Sequence, residues 1–190
     1  MTSGTVENAE ISNPVTGVRI REPPADAPEG AADVHLDPGA SGPPEHVHPD
    51  TEERFEVLDG HVAFRVGGRE RTLEPGTAIR VAPGTAHTFR NDGDGDAAFR
   101  VRTLPANERL GKVVATLFGL AQEGDTDERG RPGVLQGAVM AAETIDDVYF
   151  TDVPYPVQRA VGTALGPVGR ALGYSATYER FLDEAYWQDR

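Results

Sequence analysis

The stretch His46-Val47-His48-Pro49-Asp50-Thr51-Glu52-Glu53-Arg54-Phe55-Glu56-Val57-Leu58-Asp59-Gly60 decides how this sequence is read. On an extended strand, side chains two apart leave from one face with Cα atoms about 7 Å apart, so the imidazoles of His46 and His48 can reach a single metal ion. The period-two run Glu53, Phe55, Val57 puts Glu53 with an apolar, inward-facing set and leaves Glu52 on the opposite face. A third imidazole, His87, stands on the Thr85-His87-Phe89 face of a later segment. Three imidazoles and one carboxylate converging inside a β structure suit a divalent transition metal and leave coordination positions open. Spacing alone leaves the alternative of unpaired surface histidines. Of the other histidines, His35 reads as structural or solvent-facing and His61 as an exposed residue at the start of the next strand.

Around this stretch the chain is punctuated by turns. Of its 15 prolines, 11 fall at or before Pro105. Between them lie short runs rich in β-formers: Val15–Ile20, Ala32–Leu36, Arg54–Leu58, Val62–Val66, Ala78–Val81, Thr85–Phe89 and Ala97–Val101. Short strands at this spacing predict a β-sandwich or barrel. Asp59-Gly60 and Gly67-Gly68 read as two-residue hairpin turns, and Glu74-Pro75-Gly76 and Ala82-Pro83-Gly84 as tight turns. After Pro105 the period becomes helical. Leu110, Val113, Val114, Leu117, Phe118 and Ala121 form one stripe, with Asn107 as N-cap and Gly124 as stop. Val134–Ala142 and Val157–Val168 form two more, the latter expected to kink or break at Gly166-Pro167, and Tyr178–Tyr186 a fourth. Such stripes are core-facing by default. The organisation expected is a flexible N-terminus at 1–12, a β domain at 13–105 and a helical extension at 106–190.

Composition narrows the function classes. With 18 Lys plus Arg against 31 Asp plus Glu, the net charge of the 190-residue chain is −13. A surface this acidic repels phosphate backbones and anionic lipid, which excludes nucleic-acid and membrane partners from the expectation. The chain has no cysteine, and therefore neither disulfides nor thiolate ligands. No apolar leader or membrane-length apolar run is evident, so a soluble, cytoplasmic protein is expected. Only Lys112 is lysine among the basic residues. Together with the acidic excess this resembles halophilic proteins, a GC-rich genome being the other source of such a bias.

Residues 46–60 resemble the first motif of the cupin superfamily: His-x-His, four residues, Glu, six residues, Gly, matched by His46, His48, Glu53 and Gly60. Residues 76–91 resemble the second, with Gly76, Gly84, His87 and Asn91 in place. Two departures touch no ligand: the leading glycine of the first motif falls on Ala40, and Ala82 takes the usual proline position of the second, with Pro83 next. The resemblance spans about residues 13–104. It implies a mainly β fold, a jelly-roll barrel of the double-stranded β-helix kind, here followed by the helical extension. It also implies that His46, His48, Glu53 and His87 hold a divalent transition metal (Fe, Mn, Ni, Zn or Cu), with Glu53 doubling as general base. Within the superfamily the small single-domain, quercetin dioxygenase-like group is the nearest resemblance, which implies a metal-dependent oxygenase acting on a small organic molecule. A metal-dependent isomerase or epimerase would use the same ligands, and a non-catalytic, metal-stabilised ligand-binding dimer is the alternative of another class. Phe55, Phe64, Phe89 and Phe99 are expected in the plain core, and Asn91 as a turn-fixing residue. Val157–Leu172 and Tyr178–Trp187 are expected either to close the cavity or to complete a homodimer, the commonest assembly.

Overall fold

A computed structural model describes residues 10–188. The strands are β1 (Ile11–Asn13), β2 (Val18–Arg21), β3 (Ala31–Leu36), β4 (His46–Val47), β5 (Glu52–Asp59), β6 (Val62–Val66), β7 (Arg69–Leu73), β8 (Ala78–Val81), β9 (His87–Arg90), β10 (Ala97–Leu104) and β11 (Tyr149–Phe150). The helices are α1 (Glu108–Gln122), α2 (Val134–Thr144), α3 (Tyr155–Ala171) and α4 (Glu184–Trp187), with a 3-10 turn at Glu179–Phe181. The strands form two antiparallel sheets, ordered β1-β2-β3-β10-β5-β8 and β11-β4-β9-β6-β7. They face each other as a jelly roll and do not join into a single closed barrel. None of the described helices is long and apolar enough to cross a membrane.

Alternation along β5 and β10 builds the space between the sheets. Glu53, Phe55 and Val57 are buried while Arg54 and Glu56 face outward, as the period-two pattern requires. The rings of Phe55 and Phe99 from one sheet meet those of Phe64 and Phe89 from the other, with centroids 4.8 to 6.4 Å apart. These four phenylalanines are core, as expected. Asn91 is buried and ties a loop. Its Nδ2 donates to the carbonyls of Leu36, Asp37 and Gly95, and its Oδ1 accepts from the Gly93 amide.

Several local expectations are corrected. Gly67-Gly68 does close a hairpin, β6 to β7. Asp59-Gly60 does not: it carries the chain from β5 in one sheet to β6 in the other. Gly60 has φ +65°, and a Cβ there would lie 2.5 Å from the Asp96 carbonyl oxygen, so the corner requires glycine for both reasons. Strand β7, Arg-Glu-Arg-Thr-Leu, has no apolar alternation to reveal it because it is an edge strand with almost every residue exposed. The stretch Val15–Ile20 is a turn followed by β2. Strand β1 starts at Ile11, inside the segment expected to be a flexible N-terminus, and residues 1–9 of that segment lie outside the described residues. The extension also contributes a strand, β11, which pairs with β4.

Helix α1 starts and stops where the residues dictate. The Asn107 side chain accepts from the Leu110 amide, and Gly124 takes φ +78° just beyond the last turn. Helix α3 departs from expectation twice. It runs unbroken through Pro167, and its buried residues are Gly162, Gly166 and Gly169 rather than its apolar stripe. The glycines let α3 approach α2 closely: a Cβ on Gly169 would meet Val139 Cγ2 at 2.6 Å, and one on Gly166 would meet Ala142 Cβ at 2.9 Å. Val157, Val161, Val168 and Leu172 consequently face outward.

The tail after α3 returns to α1. Phe181 is fully buried against Gly119 of α1, where a Cβ would lie 2.2 Å from its ring. The Trp187 indole donates to the Phe181 carbonyl. Gly→Ala inside a helix normally adds about 0.5–1 kcal/mol of stability. At Gly119 the clash with a locked ring costs about 1–3 kcal/mol and reverses the sign. Gly111, exposed on the same helix with nothing within 4 Å of a new Cβ, gives the uncomplicated case. Thermal denaturation should show Gly119→Ala melting below the native protein and Gly111→Ala at or above it.

Candidate metal centre

Strand β4 and the residue after it bring His46 and His48 to the mouth of the core. Strand β9 pairs with β4 so that His87 lies directly opposite His46, and β5 supplies Glu53 from the facing sheet. All four side chains are buried. One ligand atom from each lies within 4.8 Å of those of the others. The rings of His46 and His87 are 4.2 Å apart, those of His46 and His48 5.1 Å, and those of His48 and His87 5.7 Å, between centroids. The four residues singled out in the sequence are thus brought together. His61 is exposed and lies apart, with Glu74 at 3.9 Å. His35 sits half-buried in β3.

Each imidazole is oriented by a backbone carbonyl. Nδ1 of His46 is 3.0 Å from the Pro44 oxygen, Nδ1 of His48 is 2.8 Å from the Asp147 oxygen, and Nδ1 of His87 is 3.0 Å from the Thr85 oxygen. A carbonyl can only accept, so each Nδ1 carries the proton and each Nε2 presents a lone pair. The consequence shows at Glu53 Oε2. It lies 2.6 Å from His87 Nε2 and 3.6 Å from His48 Nε2. Both Oε2 and His87 Nε2 are nevertheless left without a hydrogen-bond partner. Two buried acceptors facing each other with no hydrogen between them repel, and a cation bound by both converts that repulsion into coordination. Nitrogen and oxygen donors in this ratio, three imidazoles to one carboxylate, suit a divalent transition metal.

The electrostatics of His46 and Glu53 follow from this burial and crowding. Burial, reinforced by repulsion from His87 and His48, drives His46 down to about 3 from its ordinary 6.5. Burial opposes ionisation of Glu53, but the imidazoles around it, His87 first, outweigh it and hold the carboxyl below its usual value. Glu52 points the other way. It is held at about 2 by hydrogen bonds from Arg80 and Arg54 at the surface.

The sequence does not reveal what the extension brings here. Asp147, in the turn between α2 and β11, supplies the carbonyl for His48. Phe150 of β11 sets its ring 6.5 Å from that of His46. Of the parts of the extension expected to close the cavity or to complete a homodimer, α3 packs against α2 within the subunit with its apolar stripe outward, and Tyr178–Trp187 packs against α1. The segment that reaches the site is 144–150.

Comparison with known families decides the fold name. Residues 32–101 match the cupin domain family, a span that contains all four clustered side chains. Among curated proteins, the tetracenomycin polyketide synthase protein TcmJ of Streptomyces glaucescens is 33% identical over 82 residues, which cover 42% of this chain and 54% of that protein. The chain therefore spans about half the length of this relative. Among solved structures, a sugar phosphate isomerase of the cupin superfamily from Silicibacter pomeroyi aligns at 22% identity and TM-score 0.43, over 51% of this chain and 68% of that one. The polyketide cyclase RemF of Streptomyces resistomycificus aligns at 24% identity and TM-score 0.40, over the same two shares, 51% and 68%. The match ends before the helices begin, so α1 to α4 and β11 lie outside it.

Two outcomes are expected. Elemental analysis should find bound metal abolished in His87→Ala and Glu53→Ala and retained in Glu52→Ala, whose side chain leaves the opposite face of β5. In metal-free protein, His46 is neutral when folded and takes a proton near 6.5 when unfolded. Its contribution to stability is therefore present above pH 6.5 and is lost progressively as the pH falls toward about 3. Chemical denaturation at a series of pH values should show this slope, and His46→Gln should flatten it between pH 6.5 and 4.

Proposed function

We propose that the protein is a metal-dependent cupin enzyme of the oxygenase type, acting on a small, oxygen-rich organic molecule. The observation that carries this reading is the meeting of four buried donor atoms whose lone pairs are turned toward one another. His46, His48, Glu53 and His87 would hold the ion. A divalent transition metal there supplies Lewis acidity and, if redox-active, a route for electrons between an organic ligand and O₂. Four protein ligands leave room for a chelating hydroxyl–carbonyl pair from a substrate.

The chain's own part is positioning and proton handling. Glu53 is the only carboxylate in the cluster and is assigned as general base. Its Oε2 accepts the proton of a substrate hydroxyl or an activated C–H once displaced from His87. Burial by itself raises its basicity, which suits it to hold that proton once it is clear of the imidazoles. Phe55, 5.9 Å from the His87 ring between centroids, gives the site an apolar floor that keeps water from competing with the substrate. The relative named as a polyketide synthase protein supports polyketide-derived phenols and polyketones as the first substrate class to try.

The test is O₂ consumption by metal-free protein reloaded separately with Fe(II), Mn(II), Co(II), Ni(II), Cu(II) or Zn(II) and offered hydroxylated polyketides and flavonol-type phenols. Substrate-dependent uptake of one O₂ per molecule converted, absent in His87→Ala, is expected. Conversion without O₂ uptake overturns the oxygenase assignment in favour of an isomerase or cyclase. Metal-loaded protein that binds panel members and converts none overturns catalysis altogether.

A further inference from the structure

Two of the three imidazoles are oriented by their own neighbourhood. His46 and His87 each bond to a carbonyl two residues earlier, Pro44 and Thr85. His48 differs: its partner is Asp147, 99 residues further along the chain and outside the cupin domain. We propose that Asp147 is a positioning residue of the metal centre. Its carbonyl fixes the tautomer and rotation of His48, and its carboxylate, bound by Arg109 of α1, holds that carbonyl in place. The inference rests on the reading of the cluster as a metal site.

The turn carrying Asp147 is gripped from several sides. The amides of Asp147 and Val148 both donate to the Thr144 carbonyl. The Arg109 guanidinium pairs with the Asp147 carboxylate, which is mostly shielded from solvent. Beyond the turn, Tyr149 and Phe150 pair with Val47 and His46. Gln158 of α3 accepts from the Phe150 amide and donates to the Phe150 carbonyl, clamping this edge strand from its open side. Thr151 fastens the next residue to Glu45. Helices α1 and α3 therefore act together on one carbonyl oxygen. If that oxygen moves away, the His48 proton is no longer confined to Nδ1, and the lone pair on Nε2 is no longer fixed toward Glu53.

Co(II)-loaded protein tests this without reference to turnover. Its proton NMR spectrum should contain three exchangeable, hyperfine-shifted signals, one for each ligand Nδ1–H. In Arg109→Met one of the three should vanish or exchange with D₂O at least tenfold faster, while the other two persist. Co(II) affinity, measured by chelator competition, should fall about tenfold, the lower end of the usual effect of losing such an outer partner. Asp147→Ala, which keeps the carbonyl and loses the carboxylate, should affect the same signal, and Arg109→Lys should restore it. Arg180→Met, which removes a comparable surface pair with Glu123 at the C-cap of α1, should leave all three unchanged. Three unaltered signals in Arg109→Met, or three signals lost together, overturn the proposal. A native protein that takes up no Co(II) overturns the metal reading itself and the proposal with it.

Discussion

Four acceptors turned toward one another in a buried space are the constraint around which the two facing sheets are built. An apolar group of the same shape would pack there at no electrostatic cost, and an unpaired buried carboxylate is expensive to desolvate. The fold nevertheless removes each easy escape. It satisfies all three Nδ1 atoms with backbone carbonyls, so no imidazole can rotate a proton toward Glu53 without breaking a hydrogen bond. It draws Glu53 from the sheet opposite His46 and His87, so the two sheets cannot slide apart without dispersing the cluster. The aromatic layer of Phe55, Phe64, Phe89 and Phe99 lies directly beneath and resists such sliding by packing.

The legible part of this arrangement was the part written at short range. His46 and His48 two residues apart, Glu53 in phase with Phe55 and Val57, and Asn107 ahead of a helical stripe all follow from local periodicity, and the structure places each where that periodicity requires. What stayed hidden is set by tertiary contacts. Strand β7 is an exposed edge with no pattern to read. Asp59-Gly60 has the residues of a hairpin but is used as a corner, because β5 takes its partners from β8 and β10 instead. Helix α3 carries a clear apolar stripe, yet close approach to α2 favours the face without side chains, so the glycines go inward. Nothing in Asp147 or Tyr149–Phe150 marks them as neighbours of a histidine pair a hundred residues earlier; a backbone carbonyl has no side-chain signature.

The extension also answers a weakness of the domain it follows. Strand β4 is only two residues long, too short to hold an edge by its own hydrogen bonds, yet it carries His46. Pairing with β11 covers that edge, and Gln158 in turn occupies the open side of β11. The helices thus contribute to the rigidity of a site to which none of them lends a ligand.

The separation of 99 residues between His48 and the carbonyl it bonds has a temporal side. During synthesis every ligand of the cluster leaves the ribosome before Asp147 has been added to the chain. For that interval all three imidazoles are in the emerged chain, while the carbonyl that orients one of them is not. The geometry described for His48 is therefore complete only once the segment that carries Asp147 has docked, so the order in which the chain emerges and the order in which the cluster is finished are not the same.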